Sequence, residues 1–264
     1  MPEVENGDVR LHYELSGAVD GSVLVLSNSL GSNLHMWDKV LPAFESCHRV
    51  LRYDMRGHGQ SSVPEGPYNM EQLGGDVLYL LDHLGIERAD VCGLSVGGMI
   101  AMWVGVHAPQ RLHRIVFANT GARIGSVELW GQRIAMAQSA GMAALASFTL
   151  ERWFTAPYRE NHPVEMERIR AMVAATDVRG YVACCAALRD TDLRSEVAAI
   201  TAPSLVISGT HDPATPPSDG KALHSALRDS NYVELNASHL SAWERAEEFA
   251  NAVLAFLDGE QKHG

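Results

Sequence analysis

Short runs of β-branched residues alternate along the chain with segments whose apolar side chains have helical spacing. The runs cover residues 9–15, 22–28, 48–54, 89–95, 114–120, 204–210 and 231–237. Strands that alternate with helices need crossover connections, which favour a mostly parallel sheet with helices on both faces. The sequence therefore predicts an α/β fold. The first run alternates between apolar and polar residues and predicts an antiparallel edge strand, whereas the later runs are typical of strands buried on both faces.

Two stretches have one apolar face at steps of three and four residues, which predicts amphipathic helices. The first is formed by Met70, Leu73, Val77, Leu80, Leu81 and Leu84, and the second by Trp243, Ala246, Phe249, Ala250, Val253 and Phe256. The last eight residues, "LDGEQKHG", lose this periodicity and predict an irregular tail.

One long segment contains no convincing strand. From about Gly125 to Ile200 the chain has only helical stretches rich in Ala, Met and Arg, such as "RIAMAQSAGMAALASF". The whole chain has 264 residues, a length that suits one main domain with an insertion. We predict a core of residues 1–124 and 200–264 and a helical cap of residues 125–199. The cap would cover the carboxyl edge of the sheet, where ligands bind in open α/β folds.

Composition and charge disfavour several classes of function. The formal net charge is -11 and no Lys/Arg cluster is present, so nucleic acid and anionic membrane surfaces are poor partners. The first ten residues lack the apolar core of a secretory signal, and no apolar run approaches the roughly 20 residues of a membrane span. The four cysteines, which form no CxxC pair, predict reduced, buried thiols in a cytoplasmic protein: Cys47, Cys92, Cys184 and Cys185.

The stretch "GLSVG", residues 93–97, fits Gly-x-Ser-x-Gly where a predicted strand passes into a predicted helix. The turn at such a junction is tight, so the serine adopts a strained backbone conformation and side chains at the flanking glycines would collide with strand and helix. The turn would lift the Ser95 hydroxyl out of the sheet. It would also place that hydroxyl beside a helix N-terminus, whose N–H groups favour developing negative charge.

Ser95 needs a base, because a serine hydroxyl is a poor nucleophile until its proton is removed. Asp212 follows the predicted strand at 204–210, and His239 lies in the loop after the predicted strand at 231–237. Serine, aspartate and histidine therefore occur in the chain order that a serine in such a turn requires. We predict that His239 takes the Ser95 proton, and that Asp212 selects the histidine tautomer and stabilises the imidazolium.

An oxyanion that forms at the substrate also needs donors. The backbone N–H of Val96, directly after the serine, is one candidate. The second is the N–H of Leu30 in the loop "SNSLGSNLHMW". Loss of one such donor typically lowers the rate 10²- to 10³-fold.

Other polar residues are less suited to the same roles. His211 neighbours Asp212 but is expected to point away from it, and His58 is expected in a glycine-held turn after a strand. His35 lies nearer the predicted pocket, where it could touch a ligand. Asp190 and Asp192 are expected to cap helices or face solvent.

With these residues in place, the chain resembles the α/β-hydrolases over nearly its full length, and more narrowly the 3-oxoadipate enol-lactonases of bacterial aromatic catabolism. The serine, aspartate and histidine motifs are shared by the superfamily, whereas "SNSLG" and "RWFT" resemble the lactonases in particular. Further matching stretches are "YDMRGHGQSS", "GLSVGGMIAMW", "GTHDPATPP" and "ASHLSAWE". Asn28 and Ser29 stand where many relatives carry His-Gly, which leaves a main-chain donor at Leu30 unaffected.

The resemblance implies opening of a small anionic enol-lactone to 3-oxoadipate through an acyl-enzyme, without a metal or organic cofactor. The substrate's free carboxylate requires a local cation in so acidic a protein. Arg133 is our first candidate and Arg123 the second, although Arg133 could instead be a solvated helix residue. Trp153 either walls the pocket or packs the cap on the core.

Other functions use the same three residues. A carboxylesterase or perhydrolase for other small esters is the main alternative, because specificity lies in the cap, which a single sequence describes poorly. A ligand-binding receptor of this fold and a non-catalytic interaction protein are further alternatives. Haloalkane dehalogenation is disfavoured, since that chemistry needs a carboxylate where Ser95 stands.

Overall fold

An eight-stranded sheet forms the centre of the computed structural model, which describes residues 2–259. In space the strands follow the order β1-β2-β4-β3-β5-β6-β7-β8. Strands β3 to β8 are parallel to one another, whereas β2 runs antiparallel to β4 and to β1. All seven predicted strands are present. The bounds are β1 Glu3–Asn6, β2 Val9–Gly17, β3 Val23–Ser27, β4 Arg49–Tyr53, β5 Ala89–Leu94, β6 Leu112–Ala118, β7 Ser204–Gly209 and β8 Ser230–Leu235.

The edge of the sheet differs from the prediction. Strand β2 is antiparallel, as expected, but β1 pairs outside it, with Glu3 opposite His12 and Asn6 opposite Val9. The sequence of β1, "EVEN", has one β-branched residue among polar ones. Its extended conformation therefore depends on pairing with β2 rather than on its own propensity.

Within the described residues, ten α-helices cover the sheet and form the segment between β6 and β7. Their bounds are α1 Leu41–Glu45, α2 Met70–His83, α3 Val96–His107, α4 Val127–Trp153, α5 Ala156–Asn161, α6 Pro163–Ala174, α7 Val178–Asp190, α8 Pro217–Ala226, α9 Ser241–Glu244 and α10 Ala246–Leu257. Asn69 is the N-cap of α2 and forms a capping box with Gln72, and the helix buries its predicted apolar face. The predicted C-terminal helix is divided, because Arg245 has non-helical φ and ψ angles of -128° and 52°.

The segment between β6 and β7 contains no strand, as the sequence predicted, and its helices pack on one another. Helix α4 bends at Gly141, whose φ of 73° and ψ of 175° interrupt the helix. Lys39 joins this segment to the loop before α1 through an ion pair with Glu165 in α6, at 2.7 Å. The division into a core of residues 1–124 and 200–264 and a cap of residues 125–199 stays a prediction.

Two further sequence expectations concern cysteines and apolar helices. Cys92, Cys184 and Cys185 are buried, but Cys47 is exposed, because it lies in the turn between α1 and β4 rather than in a packed element.

In residues 2–259, no single helix is long and apolar enough to cross a membrane; α6 and α7 reach that limit only together, across an 87° bend. Residues 260–264 of the predicted irregular tail lie outside the described residues.

Candidate active site

Ser95 stands alone between β5 and α3 in a conformation that few L-residues adopt. Its φ of 60° and ψ of -119° lie outside the ordinary regions of backbone space. A Cβ on Gly93 would lie 2.1 Å from the Gly97 carbonyl oxygen, and a Cβ on Gly97 would lie 2.1 Å from the Ser27 carbonyl oxygen at the end of β3. The two glycines therefore permit the turn, and the Ser95 N–H anchors it by donating to the Ala118 carbonyl at 3.0 Å.

We expect Gly97→Ala to destabilise the protein by roughly 3 kcal/mol or more, because the new methyl group meets backbone that cannot move away cheaply. Gly75→Ala in α2 is the matched control. A Cβ there meets nothing within 4 Å, so alanine should stabilise the helix by up to about 1 kcal/mol. Urea unfolding of the three proteins checks both signs, and equal midpoints for Gly97→Ala and wild type would contradict the steric argument.

Asp212 and His239 form a buried hydrogen-bonded pair. Asp212 Oδ2 lies 2.7 Å from His239 Nδ1. The carboxylate also accepts from Asn119 Nδ2, the Ala214 N–H, the Thr215 N–H and the Thr215 hydroxyl, at 2.7–3.0 Å. Burial raises the pKa of Asp212, but the facing His239 and these hydrogen bonds outweigh burial and hold the pKa below its usual value. An ionised Asp212 keeps the proton of His239 on Nδ1, which leaves Nε2 free to act as a base.

Asn119, at the end of β6, organises this pair and was missed by the sequence analysis. Its Nδ2 donates to Asp212 and to the Ser238 carbonyl oxygen, and its Oδ1 accepts from the Ser241 hydroxyl. Its φ of 45° is unusual for a residue other than glycine. The sequence did contain one signal. Asn119 is a polar residue at the carboxyl end of a buried strand, and that strand lies between two strands whose ends carry site residues. Asn119 thus joins the ends of three strands around Asp212.

Five of the predicted site residues line one cavity: Leu30, Ser95, Arg133, Trp153 and His239. Ser95 and His239 line it, and neither side chain is exposed to bulk solvent over more than a small fraction of its surface. The other lining residues come from the loops after β3, β6 and β7 and from α4. They include Ser29, Leu30, Trp130, Arg133, Arg152 and Trp153. Two of the substrate-binding candidates, Arg133 and Trp153, therefore lie at the cavity that contains Ser95.

The two candidate oxyanion donors differ in their surroundings. Leu30 lines the cavity, and within residues 2–259 its N–H has no hydrogen-bond acceptor. Val96 is the first residue of α3, where an N–H has no partner inside the helix. Both N–H groups are thus available to an external acceptor near Ser95.

Two arginines meet at the cavity, of which the sequence analysis singled out one. Arg133 donates through Nε and Nη2 to the Tyr181 hydroxyl, at 3.0 and 2.7 Å. Arg152 donates to the Pro213 carbonyl oxygen at 3.1 Å. Burial lowers the pKa of Arg152, and the nearby charge of Arg133 lowers it further. Two guanidinium groups that disfavour each other in one cavity are stabilised by an anion.

Arg152 is held in a fixed relation to His239. The Ser238 hydroxyl donates to the Arg152 carbonyl oxygen at 2.7 Å, and the Leu240 N–H donates to the Trp153 carbonyl oxygen at 2.9 Å. The end of α4 is therefore bonded to both residues that flank His239. The sequence could not indicate this contact, because Arg152 and Ser238 are 86 residues apart.

The other candidates lie away from the cavity. Arg123 pairs with Asp192 at 3.3 Å in a different groove, and Asp190 pairs with Arg189 at the surface. His35 is exposed beside Asp38, and His211 is exposed and bonded to Asn236 rather than to Asp212. Within the described range, no three His, Cys, Asp or Glu side chains converge on a position suited to a metal ion.

The chain is similar to several known proteins. A family model described as alpha/beta hydrolase fold matches residues 22–246. The chain is 40% identical to 3-oxoadipate enol-lactonase 2 of Acinetobacter baylyi, over 95% of this chain and 94% of the relative, and 35% identical to 3-oxoadipate enol-lactonase 1 of that organism over the same shares. The solved structure of the enol-lactonase from Burkholderia xenovorans LB400 is similar with a TM-score of 0.96 and 46% identity, covering 97% of this chain and all of the other.

Proposed function

The chain belongs to the alpha/beta hydrolase family and, within it, to the 3-oxoadipate enol-lactonases, and from this we propose that it opens 3-oxoadipate enol-lactone to 3-oxoadipate by serine catalysis. One observation carries the proposal. A single cavity is lined by Ser95, by His239, which Asp212 backs, and by the two arginines Arg133 and Arg152. A nucleophile and a base suit an acyl group, and two cations beside them suit an acyl substrate that carries a carboxylate.

The first half-reaction forms an acyl-enzyme. His239 Nε2 takes the proton of the Ser95 hydroxyl, and Oγ attacks the lactone carbonyl carbon. The carbonyl oxygen becomes an oxyanion that accepts from the N–H groups of Leu30 and Val96. When the intermediate collapses, the bond between the carbonyl carbon and the ring oxygen breaks. The ring oxygen leaves as an enol and takes the proton from His239.

The second half-reaction frees the acid. His239 removes a proton from water, and the resulting hydroxide attacks the acyl carbon while the same two N–H groups stabilise the oxyanion. Ser95 Oγ then leaves and regains its proton from His239. The enol of the product tautomerises to the ketone of 3-oxoadipate. Asp212 stays ionised throughout and stabilises the imidazolium in both halves.

We infer that Arg133 and Arg152 bind the free carboxylate of the lactone and that the buried Trp153 ring forms a wall of its site. Charge-assisted hydrogen bonds from a guanidinium are the usual protein ligands of a carboxylate. We also infer a cytoplasmic location. The four cysteines are free thiols, which suits a reducing compartment.

Arg133→Ala is expected to raise KM for the anionic lactone about 10- to 100-fold, because a hydrogen bond to a charged group contributes roughly 1.5–3 kcal/mol. KM for a neutral ester of similar size should change less than threefold. Arg123→Ala is the matched control, since its guanidinium pairs with Asp192 outside the cavity. Steady-state kinetics on both substrates check the split; equal effects on the two substrates would remove Arg133 from carboxylate binding.

The proposal as a whole is tested by spectrophotometric assay of freshly generated 3-oxoadipate enol-lactone beside a panel of neutral short-chain esters. We expect the lactone to have the highest kcat/KM of the panel. A higher value for a neutral ester would make the protein a carboxylesterase. Binding of the lactone with negligible steady-state turnover would make it a receptor.

A further inference from the structure

The stretch "YDMRGHGQSS", residues 53–62, follows β4 and has no part in the reaction described above. At its centre the His58 ring is 2% exposed and uses both nitrogens. Nδ1 lies 3.2 Å from the Arg56 carbonyl oxygen, and Nε2 lies 3.1 Å from the Gly31 backbone nitrogen. A carbonyl only accepts and an N–H only donates, so the proton must be on Nδ1 and Nε2 must accept. The ring is therefore neutral and in one tautomer.

Gly31 directly follows Leu30, whose N–H is the proposed oxyanion donor. The bond from Gly31 to His58 fixes the peptide plane between Leu30 and Gly31, since that plane contains the Gly31 N–H. The Leu30 N–H lies in the preceding plane, whose Ser29 carbonyl oxygen accepts from the Ser32 hydroxyl at 2.6 Å. The two planes meet at the Leu30 Cα, so fixing the second plane restricts rotation at Leu30. Asp54, in the same loop as His58, accepts from the Leu34 N–H at 2.8 Å. The loop after β4 thus holds the segment 31–34 at both ends.

The surroundings of His58 favour its neutral form. Burial lowers the pKa of His58, and the opposing effects of the Arg56 carbonyl and the Asp54 charge do not restore it. From the opposite side, the Thr176 hydroxyl donates to the Gly31 carbonyl oxygen at 3.2 Å. Gly31 is consequently held by the core and by the helical segment together.

We propose that His58 is a positioning residue for the oxyanion hole: by accepting the Gly31 N–H it fixes the peptide plane that follows Leu30 and so restricts the rotation at Leu30 that would turn its N–H away from the oxyanion. The inference rests on the proposed function, in which the Leu30 N–H binds the oxyanion. The two hydrogen bonds of His58 then have different purposes. The bond to Arg56 stabilises its own turn, whereas the bond to Gly31 serves the reaction.

Two substitutions test the two hydrogen bonds of His58 separately. His58→Gln places an amide oxygen near the position of Nε2, so it can still accept from Gly31. His58→Asn places an amide nitrogen near the position of Nδ1, so it can still donate to Arg56 but cannot reach Gly31. Loss of a donor costs 10²- to 10³-fold, and misplacement costs less. We expect His58→Asn to lower kcat about 10- to 100-fold with KM changed less than threefold, and His58→Gln to stay within about fivefold of wild type.

His48 provides matched controls. It is a buried histidine beside the first residue of β4, at the sheet end opposite the site. His48→Asn and His48→Gln should lower the urea midpoint without changing kcat. All variants are assayed on the enol-lactone and on p-nitrophenyl acetate, because any ester uses the same oxyanion donors.

An unchanged kcat for a folded His58→Asn, or an equal loss for His58→Gln and His58→Asn, would overturn the inference while leaving the proposed function intact. A wild type that hydrolyses neither substrate would overturn the proposed function and this inference with it. If His58→Asn does not fold, ¹⁵N NMR of the wild-type ring decides: we expect an unprotonated Nε2, and a protonated Nε2 overturns the inference.

Discussion

Ser95→Ala is expected to lower kcat for lactone opening about 10⁶-fold, the loss typical when the nucleophile of such a triad is removed. The substitution deletes the one atom that bonds to the substrate. Serine and alanine carry the same strain at a φ of 60°, and the hydroxyl faces the cavity rather than packed core. The free energy of unfolding should therefore change by less than about 0.5 kcal/mol.

His239→Ala should lower kcat as far as Ser95→Ala, and the double variant should lose no more than either single one, because the residues act as a unit. Ser139→Ala, at an exposed serine of α4, is the control and should keep full activity. The measurement is single-turnover and steady-state hydrolysis of the enol-lactone by protein shown to be folded by circular dichroism. Activity of Ser95→Ala within tenfold of wild type would end the assignment of Ser95 as nucleophile.

Asp212→Asn should lower kcat about 10⁴-fold at pH 7, as loss of the carboxylate does in other triads. Five groups now donate hydrogen bonds to the Asp212 carboxylate. An amide offers one oxygen instead of two, and its NH2 group must face either these donors or the imidazole. Facing the imidazole, it forces the proton onto Nε2, and His239 can then no longer act as a base.

Asp190→Asn is the control for this change, since Asp190 pairs with Arg189 at the surface, and its kcat should stay within twofold of wild type. A kcat for Asp212→Asn within tenfold of wild type would contradict the proposed role of the carboxylate.

Asp212→Asn should also change how the free energy of unfolding depends on pH. The folded-state pKa of Asp212 lies below its unfolded value, so its ionisation stabilises the fold above the unfolded pKa of about 3.9. That contribution is lost as the pH falls through the folded pKa. Urea midpoints should therefore differ between wild type and Asp212→Asn at pH 7, and the difference should shrink below about pH 4.

Much of the fold could be predicted because its signals are local. The β-branched runs, the apolar face of α2 and the Gly-x-Ser-x-Gly turn each depend on residues within a few positions of one another. Strand β1 was not predicted, because "EVEN" becomes extended only by pairing with β2. The helix break at Arg245 was not predicted, because the apolar spacing continues across it although the helical backbone conformation does not.

The site was predictable only in part. The three residues proposed for catalysis follow strand ends in a recognisable order, so chain position alone brings them near one sheet edge. The place of Arg152 at the cavity was not predicted, because no local pattern distinguishes it from the other arginines of the helical segment. Its relation to His239 depends on bonds to Ser238 and on α4 bending at Gly141.

The sequence by itself determined most of the strands and helices, where the strained serine stands, and in which order serine, aspartate and histidine follow one another. These properties follow from backbone propensities, side-chain periods and chain order. Only the tertiary structure decided which groups support them: Asn119 on Asp212, Tyr181 on Arg133, and His58 on Gly31. Each of these bonds joins residues far apart along the chain, and folding alone brings their atoms within hydrogen-bond distance.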